Sequence, residues 1–552
     1  MAEIATPPRR ARSLRPSLWS VLALLVVAVI VLPVLTIASR VFVPSGGVWA
    51  HLSATVLPTY LTNSALLVLG VVTLALLIGV TTGWLIAAHD FTGRRVLEWA
   101  LMLPLAMPGY VIAYVYFDRL SYWGPVQSTL RATFGWSTRN DYWFPQIASL
   151  PGAIVLLSLV LYPYIYLLAR AAFAGQSRQQ LEAARALGHS RLSAFWRVAL
   201  PLAWPAIAAG AAFVAMETLA DYGAVLHLGV QTLTTGIFRT WFARGEPVAA
   251  AQLAALLLFI VGSLFVFERM VRGKRRFASD AGGRQASIAR SRLAGWKGLA
   301  AFVVCFLPVT LGFLLPAAEL VRLTLIAGDP LWGPRFFVFA ANSLKMAGGA
   351  AVLLVMIAIF LAYAQRLHGG PLVGAAVQAA SMGYALPGAV IAVGILIPMA
   401  AFDNALDAFM RQTFGYSTGL LMTGTLGALM FAYVVRYLAV ALKTTEAAFA
   451  RIPRTMDEAA RNLGAGPAGV LARVHVPLLR RSVLTAAILV FADVMKELPA
   501  TLIVRPFNFD TLAIRTFRLA SDGRLEEAAT AALMIVAVGI LPVIILSNAM
   551  RK

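Results

Sequence analysis

EAARALGHSRLSAFWRVALP (residues 182–201) and EAARNLGAGPAGVLARVHVP (residues 458–477) are two copies of one polar stretch in an otherwise apolar chain. They begin at Glu182 and Glu458, and their separation, 458 − 182 = 276, is half of the 552-residue length. Pro201 and Pro477, which close the two runs, keep the same offset. Further matches flank them: TNSALLVLG (62–70) with ANSLKMAGG (341–349), LAMPGYVIA (105–113) with YALPGAVIA (384–392), and TFGWST (133–138) with TFGYST (413–418). The order of these matches is kept along both halves, at separations of 341 − 62 = 279, 384 − 105 = 279 and 413 − 133 = 280, which marks an internal duplication with small insertions.

With 60% hydrophobic and 13% charged residues and a mean hydropathy of +0.80, the chain has more apolar surface than one soluble core hides. A bilayer is its natural solvent. Each crossing needs about 20 apolar residues. Such runs lie near 18–40, 60–88, 96–117, 149–173, 203–226 and 248–268, and again near 298–326, 340–364, 374–401, 418–442, 480–504 and 528–548. The fold class expected is an all-α integral membrane protein with twelve transmembrane helices. Six crossings per half is an even number, so the two six-helix repeats run parallel, related by an axis along the membrane normal.

A net charge of +22 would suggest nucleic acid in a soluble protein, but here it follows the positive-inside rule. RRARSLR (9–15), HDFTGRR (89–95), RMVRGKRR (269–276), ARSR (289–292) and the final RK share one side if the N-terminus is cytoplasmic and each span crosses once. Both termini and both polar copies then lie in the cytoplasm, and no nucleic-acid partner is expected. The division that follows is a basic tail (1–17), a first half (18–268), a basic Gly- and Ser-containing linker (269–297) and a second half (298–552). The first apolar run is longer than a signal-peptide core and reads as a retained helix. Cys305 is the single cysteine, which rules out an intrachain disulfide or a thiolate cluster.

Within the first polar copy, Glu182, Ala183, Ala184 and Leu187 suit a helix that Gly188 can end in a left-handed conformation, after which a second helix begins. The small alanines leave room for a partner to approach, and Glu182 offers a fixed charge. The pattern E-A-A, three residues, G, then a proline thirteen positions on, resembles the EAA loop of the membrane subunits of binding-protein-dependent ABC importers. That resemblance implies the type I ABC importer permease architecture. It carries the docking role, in which a coupling helix sits in a cleft of the ATPase subunit, onto Glu182, Ala183, Ala184 and Gly188 and onto Glu458, Ala459, Ala460 and Gly464. It implies two ATPase copies, a periplasmic binding protein and a bacterial inner membrane as setting, with membrane lipids around the chain. GAGPAG (464–469) satisfies G-x-G-x-x-G but follows a helix rather than a strand, and no G-x-x-x-x-G-K-[ST] is present. The chain is thus expected to bind no cofactor and to catalyse nothing, with ATP and magnesium handled by the partner ATPases.

Past the fifth and eleventh runs lie ETLADYGAVLHLGVQTLTTGIFRTWF (217–242) and DVMKELPATLIVRPFNFDTLAIRTFRLA (493–520). At the same offset Glu217 pairs with Asp493, Asp221 with Glu497, Thr235 with Thr511, Arg239 with Arg515 and Thr240 with Thr516. Carboxylates at span depth face partners or aqueous paths, so Glu217, Asp221, Tyr222, Asp493 and Glu497 are candidates for a translocation pathway or gate. The alternative is that Asp221 and Glu497 pair with Arg239, Arg515 or Lys496 and never touch cargo. These segments resemble fused ferric-iron ABC importer permeases, and Fe³⁺, a hard cation, suits oxygen donors. Related permeases for thiamine, phosphonate, sulfate or polyamine, and a secondary transporter, remain open. The six histidines show no metal-ligand spacing, so no firm metal site is expected. The aromatic-rich segments 118–148 and 402–416 read as elements lying at the outer interface.

Overall fold

The computed structural model describes residues 18–176, 184, 186–188, 190–273, 290–327, 334–368 and 370–551. Among them ten helices are long and apolar enough to cross a membrane: Leu18–Arg40, Leu57–Ala88, Leu150–Ala174, Phe195–Ala220, Pro247–Glu268, Trp296–Ile326, Phe336–Leu367, Gly388–Phe414, Leu426–Ala450 and Leu525–Ile545. The pair Arg94–Ala106 and Gly109–Phe134, bent by 89°, makes an eleventh if counted as one crossing. The expected twelve are not reached because Val476–Met495 carries Arg480, Arg481 and Asp493 within its length, whereas its first-half counterpart Leu200–Ala220 carries Glu217 alone. Among the described residues, the all-α reading has one exception. His89–Asp90 and Ser291–Arg292 form a two-residue parallel pair.

Several expected run boundaries shift, each for a local reason. The run 418–442 becomes the helix Leu426–Ala450 because the preceding residues wrap the buried Asp403 carboxylate, which accepts N–H groups from Leu421, Met422 and Thr423 at 3.2, 3.0 and 2.8 Å. Gly419 and Gly424 make the wrap possible with left-handed φ of 61° and 72°. The runs 203–226 and 480–504 break after Ala220 and Met495 and resume as the short helices Gly223–His227 and Pro499–Val504. Pro201 and Pro477 do not end a helix. A π turn precedes each, so that Leu200 N–H reaches Phe195 O and Val476 N–H reaches Leu471 O. The widened turn relieves the clash of the proline ring with the previous turn's carbonyl, and the helix runs on. The helix from Pro247 continues to Gly273, into the stretch read as linker.

The two halves interlock. Leu18–Arg40 packs on Gly388–Phe414 of the second half, and Gly394 lets the backbone close up: a Cβ there would sit 2.6 Å from Pro33 O. In return, the π turn Thr310–Leu314 within the span Trp296–Ile326 packs on Leu150–Ala174, where a Cβ on Gly312 would sit 2.6 Å from Leu159 O. Missing side chains at such crossings replace the hydrophobic drive that lipid does not provide. An ion pair between Arg119 and Glu319, with Arg322 at 2.7 Å from the same carboxylate, joins the halves as well. This interlocking places the two helix breaks side by side.

Candidate functional site

Each helix break is organised by one carboxylate. Asp221 Oδ1 accepts the N–H groups of Ala224 and Val225 at 3.0 and 3.1 Å. Glu497 accepts those of Ala500 and Thr501 at 2.8 and 2.9 Å, and the Thr501 hydroxyl donates to it as well. Both residues thus satisfy the amides three and four positions on, which at a helix start have no partner of their own. The glycines of the two matched P-G dipeptides press against these groups. A Cβ on Gly109 would lie 3.1 Å from Asp221 Oδ2, and one on Gly388 2.9 Å from Glu497 Oε1 and 3.0 Å from Ala500 N. The duplicated P-G is therefore a requirement for close approach.

Between the halves these elements enclose a cavity of about 130 Å³. All five pathway candidates, Glu217, Asp221, Tyr222, Asp493 and Glu497, line it, together with Arg436 and Lys496. Lys496 Nζ lies 2.9 Å from Asp493 Oδ1, and Arg436 Nη1 lies 4.0 Å from Glu497 Oε1. At the corresponding first-half positions, 496 − 276 = 220 and 436 − 276 = 160, stand Ala220 and Val160. The acids are duplicated and the bases are not, so four carboxylates face two cations. The Tyr222 ring stacks on Phe238 with centroids 3.6 Å apart and lies 5.9 Å from Phe517, which wedges it between the halves. Among the described residues neither Asp221 nor Glu497 forms the ion pair considered with Arg239 or Arg515. Arg515 lies over the Phe339 ring instead, at 5.6 Å.

The register of the second segment needs correcting. Thr232 and Thr511 cap the helices Leu233–Phe238 and Leu512–Ser521. Asn63 donates to Gln231 O at 2.9 Å and Ser64 accepts from Leu233 N at 3.0 Å; Asn342 and Ser343 repeat this with Asp510 O at 3.1 Å and Leu512 N at 2.8 Å. The equivalence here is 511 − 232 = 279. Three extra residues lie in the loop after Glu497, where Asn508 turns with φ 61° and Arg505 holds Asp510 at 2.6 Å. The expected pairs Thr235/Thr511, Arg239/Arg515 and Thr240/Thr516 therefore give way to Thr232/Thr511 and Arg239/Arg518.

The second polar copy folds as the helix Arg454–Asn462, a glycine turn and a second helix from Pro467. Gly464 has φ 84°, with Gly464 N–H bonded to Arg461 O and Ala465 N–H to Ala460 O, the Schellman arrangement that needs a left-handed residue. Gly188 has φ 88° in the first copy, whose Glu182 and Ala183 lie outside the described residues. Glu458 and Ala459 are exposed and Ala460 is half-buried, but Ala184 is buried. Ala184 thus packs inward instead of leaving room for a partner. Leu187 and Leu463, one position before each glycine, are 82% and 89% exposed. Both copies thus present one exposed leucine at the turn.

The loops are anchored differently. In the second, Arg366 donates to Asp457 Oδ2 at 2.8 Å and to the carbonyls of Phe449 and Ile452 at 2.8 and 2.9 Å, while His475 Nε2 lies 3.0 Å from Asp457 Oδ1. Burial tends to raise the Asp457 carboxyl, but the Arg366 hydrogen bonds and nearby positive charge hold it below the usual range. Burial presses the His475 imidazole below its ordinary value against the pull of Asp457. In the first, Trp84 packs on Phe173 and Phe195 at 5.2 and 4.9 Å, and Gln176 donates to Ala199 O at 2.7 Å.

The sequence pattern described as binding-protein-dependent transport system inner membrane component matches residues 75–273 and again 336–552. The chain belongs to this family. It is 26% identical over 492 residues to the Fe(3+)-transport system permease protein FbpB 2 of Haemophilus influenzae, covering 88% of this chain and 89% of that one. It is 31% identical over 267 residues to a probable molybdenum ABC transporter permease protein of Haloferax volcanii, covering 47% of this chain and 94% of that one. The molybdenum transport system permease protein ModB of Escherichia coli is 26% identical over 207 residues, covering 36% of this chain and 87% of that one. A binding-protein-dependent permease is a multi-pass membrane component that works with an ATPase and a periplasmic binding protein, which sets the secondary-transporter reading aside.

Proposed function

We propose that this permease moves ferric iron, delivered by a periplasmic binding protein, through the cavity between its halves. The observation that carries this reading is the excess of four carboxylates over two cations there. An acidic, oxygen-rich lining suits a hard cation, and part of its charge is already offset by Lys496 and Arg436, which favours release over tight binding. A cavity of about 130 Å³ is smaller than the ~300–1,000 Å³ clefts that hold drug-sized ligands, which speaks against thiamine or a polyamine. Molybdate is the second reading, favoured by the relatives named for molybdenum. An oxyanion, like sulfate or a phosphonate, would need Arg436 and Lys496, both set beside acids.

The machine around the cavity has twelve crossings, six per half. The eleventh and twelfth of these come from the bent pair 94–134 and from Val476–Met495 as the counterpart of Leu200–Ala220. Both termini are cytoplasmic, with a basic linker joining halves 18–268 and 298–552. One ATPase copy docks on each of the surfaces around Glu182–Gly188 and Glu458–Gly464, and the exposed Leu187 and Leu463 enter its clefts. The permease itself holds no cofactor and catalyses no reaction. ATP and magnesium act on the partners, whose closure pulls the coupling helices and shifts the helix breaks at Asp221 and Glu497.

The test is uptake by the complex reconstituted with its ATPase and binding protein. Replacing Glu217→Gln and Asp221→Asn together should reduce uptake of labelled ferric iron while ATP hydrolysis persists. Unchanged uptake would remove the first-half acids from the route.

A further inference from the structure

Away from the central cavity, a second one of about 330 Å³ opens where the turn 89–95 meets the residues entering the span Trp296–Ile326. Its walls carry four guanidinium groups, Arg94, Arg95, Arg290 and Arg292, against one carboxylate, Asp90. Backbone pairing holds them there. His89 and Asp90 pair with Ser291 and Arg292, Leu293 N–H bonds Asp90 O at 2.9 Å, and His89 Nδ1 lies 2.7 Å from Ser291 Oγ. Gly93, with φ 83°, turns the chain between the strand and the helix Arg94–Ala100.

The arginines are not equivalent. Arg94 is buried and engaged, with Nε 3.3 Å from Asp90 Oδ1 and Nη1 3.3 Å from both Glu98 Oε2 and Ile86 O. Arg95, Arg290 and Arg292 are exposed and, among the described residues, make no hydrogen bond or ion pair. Three like charges are thus held around one cavity by backbone contacts that do not depend on them. Guanidinium groups gathered this way match the planar, bidentate demands of a phosphate.

The depth of the site indicates where that phosphate comes from. Four residues beyond Arg292, Trp296 is 74% exposed, and Leu299, Val303, Val304 and Leu307 follow on an exposed apolar face. An indole at this place marks the headgroup level and the aliphatic side chains mark the acyl layer. We propose that this cavity binds the phosphate of an anionic phospholipid headgroup, with Arg95, Arg290 and Arg292 as its ligands. Basic pockets between membrane helices recognise such headgroups by this chemistry. Its last wall residue, Ala174, ends the span that leads into the first docking loop, so an occupied site braces the base of that loop.

The test uses the full chain in neutral detergent, titrated with phosphatidylglycerol or cardiolipin, with phosphatidylcholine, and with inorganic phosphate. Thermal unfolding midpoint and retained lipid by native mass spectrometry are the readouts. The expected result is a raised midpoint and retained lipid with the anionic lipids only. The combined variant Arg95→Gln, Arg290→Gln, Arg292→Gln should lose affinity by on the order of a hundredfold. The combined Lys variant, which keeps the charges, should recover part of it and shows that the site still folds. An effect of inorganic phosphate without one of lipid would overturn the membrane source. Equal lipid response in the wild type and the Gln variant would overturn the site.

Discussion

Replacing Arg366→Met should loosen the second polar loop, 454–475, and leave the first in place. Arg366 and Asp457 have side chains only 10% and 8% exposed, and the guanidinium also holds the carbonyls of Phe449 and Ile452. Methionine keeps the apolar stem but leaves the buried Asp457 carboxylate without its hydrogen-bonding guanidinium, with His475 at 3.0 Å and the charge of Arg461 remaining nearby. Removing one partner of a buried pair costs ~3–5 kcal/mol, chiefly because the other charge stays behind. At ~1.4 kcal/mol per tenfold, that corresponds to roughly a hundred- to several-thousandfold faster amide exchange across 454–475. The first loop has Ala199 where the second has His475 and rests on Trp84, Phe173 and Phe195, so exchange across 190–199 should not change. In the reconstituted complex, ATP hydrolysis should continue with reduced uptake, because one motor no longer pulls its spans. Equal loosening of both loops, or none, would refute the assignment of Arg366 as the anchor of one loop.

Other consequences are equally concrete. Because burial depresses His475, the unfolded loop takes up a proton before the folded one does. Local stability should therefore hold above pH ~6.5 and fall below it by up to ~1.4 kcal/mol per pH unit, measurable as exchange across 454–475 corrected for intrinsic rates and absent in His475→Gln. Leu187→Asp with Leu463→Asp should abolish co-purification of the ATPase while the permease keeps its unfolding midpoint; retained ATPase would show that the leucines are not the contact. Gly388→Ala must push a methyl group against Arg436 and Glu497, and overpacking of this kind costs ~1–3 kcal/mol, so the unfolding midpoint and uptake should both drop.

The duplication, the helical membrane class and the glycine turns at 188 and 464 were legible because each rests on a local rule: period, apolar run length, and the left-handed preference of glycine. What escaped rests on contacts between distant residues. A fixed offset of 276 aligns Thr235 with Thr511, whereas the Asn63 and Asn342 contacts, the Ser64 and Ser343 contacts and the two threonine caps reveal that three residues are inserted before Thr511. Asp221 and Glu497 stand out in the sequence as acids at span depth, but their capping of the next helix depends on a break that hydropathy runs straight through. Arg436 went unnoticed because its position in the other half is Val160. Ala184 faces inward and Leu187 outward, a matter of helix rotation that the EAA pattern alone does not fix.

The cargo is the claim on which the cavity's charge bears most directly. Uptake of labelled ferric iron by the reconstituted complex should require ATP and the binding protein and should be insensitive to an excess of molybdate. ATP-driven uptake of molybdate, with none of iron, would contradict the reading of the four carboxylates as a path for a cation.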